Sequence, residues 1–238
     1  MTATDKWIWP SSDEINDFPD PLGFEAEWKN WPGPVHDPEG SSLAEIFVRE
    51  LVQNSWDSIQ DFTSQVDPQE CADRGVTFRE VVLDGTDAKG FVARYGLDKH
   101  AGRFENMSKK HRKDSRLDDS QVAKGSVTPL RVLIVSERWG TGMWGPWKTG
   151  GRAGVVSRLK SALIQTRSEK QSEASGGSWG HGKKGIANAS VARTVLVYTC
   201  SGAQADDVDP EGIPITRRLL GVSYWRTHDL GERAFVGL

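Results

Sequence analysis

The sequence predicts an α/β protein, a two-layer sandwich with helices on one face of a mixed, mainly antiparallel sheet. Three observations predict it. Residues 43–62 repeat apolar side chains at helical spacing, and the runs 130–135 and 194–200 are short and apolar, as buried strands are. Helices and strands also follow one another without the regular alternation of a parallel sheet.

Residues 1–40 read as a Trp- and Pro-rich strap, with Trp7, Trp9, Trp28 and Trp31 set among Pro10, Pro19, Pro21, Pro32 and Pro34. Indoles carry large apolar area, so they either plug onto the domain's own surface or pack on a partner subunit. Residues 41–238 read as one domain. Ser42, with Glu45 three residues on, is a capping box opening a helix from Leu43 to about Phe62. Val48, Leu51, Val52, Ser55, Ile59 and Phe62 share the side expected to anchor it. Residues 63–80 are polar, and Val81–Leu83 is at most a short strand. Asp84–Gly125 is charged and poor in aliphatics, which predicts a solvent-exposed insertion.

Leu130–Val135 (LRVLIV) is the clearest buried strand. A Gly- and Trp-rich loop over 137–154 and a helix over Val155–Thr166 follow it. A second Gly-rich loop over 176–185 leads to a helical segment, Ile186–Val191. The strand Thr194–Cys200 (TVLVYTC) comes next, and a further strand covers Leu219–Trp225.

Composition narrows the function classes. Charged residues make up 26% and hydrophobic ones 37%, ordinary for a globular protein, and the net charge of −3 argues against a dedicated electrostatic nucleic-acid binder. Nucleic acid would be met through partners. The sequence has neither an apolar run of transmembrane length nor a signal-peptide core at its start, which points away from membranes and to a cytoplasmic protein. Cys71 and Cys200 suggest no disulfide framework, and the five histidines lack metal-ligand spacing.

The chemistry begins on the first helix. Glu50, Asn54 and Asp57 are spaced i, i+4, i+7 and fall within roughly 60° of arc on one face, with Ser58 nearby. An amide oxygen is a good hard ligand for Mg²⁺, which takes few protein ligands. A carboxylate one turn away can accept a proton from an attacking water. On spacing alone, most such triplets are a solvated polar face.

The string Arg49-Glu50-Leu51-Val52-Gln53-Asn54-Ser55-Trp56-Asp57-Ser58 resembles the N-box, E-x-x-x-N-x-x-D-[AS], of the Bergerat-fold or GHKL ATPases. That superfamily includes the gyrase B subunit, the MutL mismatch-repair proteins, the large heat-shock chaperones, the MORC proteins and the histidine kinases. The resemblance implies that Asn54 coordinates Mg²⁺, that Glu50 is the general base and that Asp57 and Ser58 support an ATP site. Histidine kinases usually lack the glutamate four residues before the asparagine, so Glu50 points to ATP hydrolysis.

A second box, usually D-x-G-x-G, follows a buried strand in this superfamily, and its acid binds the adenine amino group. Here LRVLIV is followed by Ser136-Glu137-Arg138-Trp139-Gly140-Thr141-Gly142-Met143. Gly140, Gly142 and Met143 fit the pattern, but Arg138 stands where the acid should be. A variant box of some chaperone-like bacterial ATPases, D-x-x-[TG]-x-G-L, puts Glu137 at the adenine. The third box is a glycine-rich phosphate lid before a helix and a strand. Gly177, Gly180, His181, Gly182, Lys183, Lys184 and Gly185 match it. Successive glycines let backbone N–H groups approach phosphate oxygens, and the lysines add charge. The resemblance also implies that Thr194 binds adenine through a water.

Gly177–Lys183 also satisfies the P-loop pattern G-x-x-x-x-G-K, but Lys184 stands where a Ser or Thr should hold Mg²⁺ and the preceding segment, 165–175, is too polar for the required strand. The expectation is therefore slow, Mg²⁺-dependent ATP hydrolysis by a GHKL-type domain, with ATP and Mg²⁺ as its ligands. Relatives usually follow this domain with a transducer domain, and the chain stops near Leu238, before one would fit. It is thus expected to be the N-terminal part of a larger, ATP-gated protein that forms a homodimer on ATP binding or joins a partner protein. Bacterial antiviral defence is one setting, beside chaperone and DNA-handling roles. The rivals are a degenerate nucleotide-sensing scaffold and a histidine kinase catalytic domain.

Overall fold

A computed structural model describes residues 7, 43–67, 69–114, 117, 129–146, 157–164, 186, 189–204, 207–209, 211–229 and 234–237. They form helices and antiparallel strands, a mixed α and β protein. In chain order the elements are α1 (Leu43–Thr63), β1 (Gly75–Leu83), α2 (Gly85–Arg94), α3 (Asp98–Asn106), α4 (Lys109–Asp114), β2 (Leu130–Arg138), a π-helical turn (Lys160–Ile164), β3 (Thr194–Cys200), β4 (Arg217–Asp229) and β5 (Ala234–Gly237). Among the described residues the strands make two sheets, β1-β2 and β3-β4-β5, with every pairing antiparallel.

Helix α1 runs as the apolar period predicts; Ser42, the expected cap, lies outside the described residues. The helix is rolled relative to the expectation. Ser55 and Ile59 are buried and Leu51 and Phe62 half-buried, but Val48, Val52 and Trp56 are exposed at 46%, 41% and 46%, while the acid Glu50 is inside at 5%.

Strand β1 corrects the expectation of a short strand at 81–83. Nine residues pair with all of β2, from Gly75 opposite Arg138 to Leu83 opposite Leu130. Its charges hide the alternation, since Arg79 and Glu80 interrupt the valines and Glu80 pairs across the strands with Arg131 (Nε to Oε1, 2.6 Å). Strand β2 in turn continues three residues past the apolar run and takes in Glu137.

The stretch 84–125 differs most. It does lie between two neighbouring strands, but its described residues, 84–114 and 117, are not simply a solvated insertion. Ala88 and Val92 on α2 are buried, as are Leu97 at the cap of α3, His100 and Phe104 along it, and then Met107 and Leu117. Phe104, Met107 and Leu117 close around Trp225 of β4. A short helix needs only one or two apolar residues per turn to seat itself, and averaging over a charged window conceals them.

Strand β4 is covered on both faces. Leu220, Val222 and Tyr224 pack with Leu159 and with Leu163 of the helical turn, along with Met143, Val195 and Val197. Tyr224 donates its hydroxyl hydrogen to the Leu163 carbonyl (2.9 Å). The alternate residues Gly221, Ser223 and Trp225 face the other way. There Ser223 Oγ lies 2.6 Å from His100 Nε2, and Trp225 Nε1 donates to the Ala192 carbonyl (2.9 Å).

Trp7 lies on this second face, its indole N–H donating to the Tyr95 carbonyl (2.9 Å) and its ring edge-on to His100 at 4.4 Å between centroids. A Cβ on Gly221 would come within 2.4 Å of the indole, so glycine there makes room for it. The strap's first tryptophan thus plugs onto its own domain. The other strap residues lie outside the described residues.

Candidate functional site

Strand β2 delivers Glu137 to the side of α1. Ser58 Oγ donates to Glu137 Oε1 (2.9 Å), and Ser55, one turn earlier, also hydrogen-bonds the carboxylate. The chain then turns under this carboxyl. A Cβ on Gly140 would lie 1.5 Å from Glu137 Oε1 and 2.6 Å from Ser58 Oγ, so only glycine lets the acid fold back across the loop. Trp139 takes a left-handed φ of 66°, an uncommon conformation for a bulky residue. Its indole N–H and the Arg138 guanidinium both bind Asp73, and those two hydrogen bonds hold the Asp73 carboxyl below the usual range.

From there the loop is pegged at four points. Thr141 N–H donates to Ser58 Oγ (3.1 Å), and Met143 N–H donates to Thr199 Oγ1 (2.7 Å). The Trp144 carbonyl accepts from Leu159 N–H (2.9 Å), and Gly145 N–H donates to Asp207 Oδ2 (2.6 Å). Gly142, at φ 70°, crosses so close to the end of β3 that a Cβ would sit 2.0 Å from the Cys200 carbonyl oxygen. Asp207 is buried and held by both Arg218 nitrogens. Burial pushes its carboxyl up, but the Arg218 hydrogen bonds, the Gly145 amide and the Arg218 charge together bring it below the usual range.

Burial also sets the direction at Glu137. The residue as a whole is exposed, yet its carboxyl end rests against Gly140 and the serines, and this raises its pKa over the opposing pull of Ser58, Ser55 and the Arg158 charge. A carboxyl so placed is a polar anchor on a semi-enclosed wall, able to accept a hydrogen bond from an amino group and, when protonated, to donate one.

On α1 itself, Asn54 is exposed one turn beyond the buried Glu50, and Asp57 is half-buried with its Oδ1 accepting from Gln53 Nε2 (2.9 Å). An exposed amide with an acid one turn to either side on the same helix offers a donor of the kind that suits a hard cation retaining its own waters. No cluster of three or more His, Cys, Asp or Glu side chains is arranged to hold a metal among the described residues.

The structure therefore brings together Ser58, Glu137, Gly140 and the loop through Gly142 and Met143, with Glu50, Asn54 and Asp57 on the same helix. It does not bring Thr194 there. Thr194 pairs with Ser223 in the register of β3 and β4, its hydroxyl donates to the Ala192 carbonyl (3.0 Å), and it lies 2.9 Å from Ser223 Oγ on the His100 face. It is also six residues from Cys200, roughly 20 Å along an extended strand. The threonine that meets the loop is Thr199, and its signal was parity, because it shares a strand face with Val195 and Val197. Ser55, Thr141 and Arg158 were missed as well, since nothing local marks a serine or a threonine as a cross-chain partner. The expected lid (Gly177, Gly180, His181, Gly182, Lys183, Lys184, Gly185) lies outside the described residues.

No protein-family model, curated protein or solved structure matches this chain. No helix is long and apolar enough to cross a membrane among the described residues.

Proposed function

We propose that this chain binds ATP with Mg²⁺ and hydrolyses it slowly, as a GHKL-type ATPase domain. One observation carries the reading. Two motifs 79 residues apart in sequence are joined by hydrogen bonds through Ser58, whose Oγ donates to Glu137 Oε1 over a glycine that admits no side chain. The N-box helix and the second box thus share one wall, with the acid at one end and Glu50 and Asn54 at the other. In this reading the fold is a Bergerat sandwich whose sheet carries the added helices α2–α4 on its second face. Dimerisation gated by ATP belongs to the same proposal.

Each residue has a task that its place permits. Glu137 offers a carboxylate oxygen to the exocyclic amino group of the base. Asn54 would hold the cation, which when bound supplies charge neutralisation for the phosphates. Glu50 orients a water and accepts its proton as the γ-phosphate bond breaks. Its burial keeps bulk water from competing.

The test measures ATP affinity by calorimetry and Mg²⁺-dependent phosphate release for the native protein, Glu50→Gln and Asn54→Ala. Glu50→Gln should keep ATP affinity while turnover falls about 100-fold or more, and Asn54→Ala should lose the Mg²⁺ dependence of binding. Absence of ATP binding by the native protein at millimolar nucleotide would sink the proposal. Binding without turnover would make the domain a nucleotide-sensing scaffold.

A further inference from the structure

The loop beneath Glu137 is fastened to α1 by a side chain from a third element. Arg158, two residues before the helical turn, donates from Nη1 to Thr141 Oγ1 (2.7 Å) and from Nη2 to Asp61 Oδ2 of α1 (2.8 Å). Thr141 hands the constraint on, since both its amide nitrogen (3.1 Å) and its hydroxyl (3.2 Å) lie within hydrogen-bonding distance of Ser58 Oγ. Ser58 in turn donates to Glu137. Asp61, Arg158, Thr141, Ser58 and Glu137 form an unbroken chain from the rim of α1 to the carboxyl.

The ion pair in this chain is of a kind that contributes little stability, because the Arg158 and Asp61 side chains are 37% and 55% exposed. Its consequence is geometric. A guanidinium presents its donors in a rigid planar fork, so bridging a helix carboxylate and a loop hydroxyl fixes the distance between helix and loop. Recognition of a base through one carboxylate oxygen tolerates displacements of only about 0.5 Å. The Arg158 charge also reaches Glu137, so the residue acts on both the place of the acid and its electrostatics.

We infer that Arg158 is a positioning residue that holds the 139–146 loop on α1, orients Glu137 and thereby sets selectivity for a base with an exocyclic amino group. This rests on the nucleotide reading above. The test compares the affinities of the full chain for ATP and for inosine triphosphate, which carries a carbonyl where ATP carries the amino group. Native protein, Arg158→Met and Arg158→Lys are used, and hydrogen exchange of the Thr141 amide is followed without nucleotide.

The native protein should prefer ATP by about tenfold, the worth of one hydrogen bond to a charged group. Arg158→Met should bring the two affinities within about twofold by weakening ATP alone, and Arg158→Lys should restore part of the preference. Thr141 exchange should quicken about tenfold in Arg158→Met. An unchanged ATP preference in Arg158→Met overturns the inference and leaves the ATPase reading standing, as does unchanged Thr141 exchange. A native protein that binds neither nucleotide overturns both.

Discussion

Two regions of this molecule use the same chemical pairing to different ends. At the α1–β2 junction a glutamate is held by the hydroxyl of Ser58, and on the second face of β4 a histidine is held by the hydroxyl of Ser223. Burial drives each toward its neutral form, raising Glu137 and lowering His100 to about 4. For His100, burial is the largest cause and the nearby Arg103 charge adds to it, against the opposing pull of Asp98. The difference lies in access. His100 is sealed between the edge-on rings of Trp7 and Trp225, at 4.4 and 5.3 Å between centroids. Glu137 sits on an exposed strand end, against the helix that also carries the exposed Asn54. A hydroxyl paired with a titratable side chain is therefore a structural joint in one place and a candidate site in the other.

The largest test of that contrast removes the seal. Trp225, 2% exposed, closes the cluster of Phe104, Met107 and Leu117. Trp225→Ala should cost about 3–5 kcal/mol in denaturant unfolding. A loss below about 1 kcal/mol, within the range of surface substitutions, would break the assignment of this face as core.

The next test is pH. The folded-state pKa of His100 lies below its ordinary 6.5, so its contribution is present above that value and is lost as pH falls towards about 4. Unfolding free energy should drop by about 3 kcal/mol across that window, and His100→Gln should lack the drop. Glu137 has the opposite sign. Its pKa is raised from 4.5, so its contribution is present at low pH and fades as pH rises through the folded value. A variant without His100 that keeps the full acid sensitivity would show that the seal is open.

The smallest test makes one change in both regions. Ser223→Ala should cost about 1–3 kcal/mol, because it strips partners from the buried His100 and from Thr194. Ser58→Ala, beside solvent, should cost about 1 kcal/mol or less. Equal losses in thermal or denaturant unfolding would erase the distinction between joint and site.

Much of the architecture was legible in the sequence where a period was strong and local. The α1 apolar period, the run LRVLIV and the strand TVLVYTC each appear as elements at or near the expected bounds. What escaped was set by partners distant in sequence. Strand β1 is held by its pairing with β2 and not by an apolar face, so Gly75–Glu80 gave little sign of it. Helix α3 carries few apolar residues, and its Phe104 is buried with Trp225 from more than a hundred positions away. In the candidate site, Glu137 and the glycines could be read from their string, whereas Ser55, Thr141 and Arg158 could not. Thr194 was matched by its string and lost by strand parity.

The sequence by itself determined where α1, β2 and β3 run and which side chains they carry, because helical and strand periods are properties of consecutive residues. Tertiary structure alone decided which way α1 rolls, that Glu50 turns inward while Val48 and Val52 stay out, and that Glu137 folds over Gly140 onto Ser58. Those outcomes depend on desolvation and hydrogen bonding between segments scores of residues apart. No window of neighbouring residues contains the competing contacts that settle them.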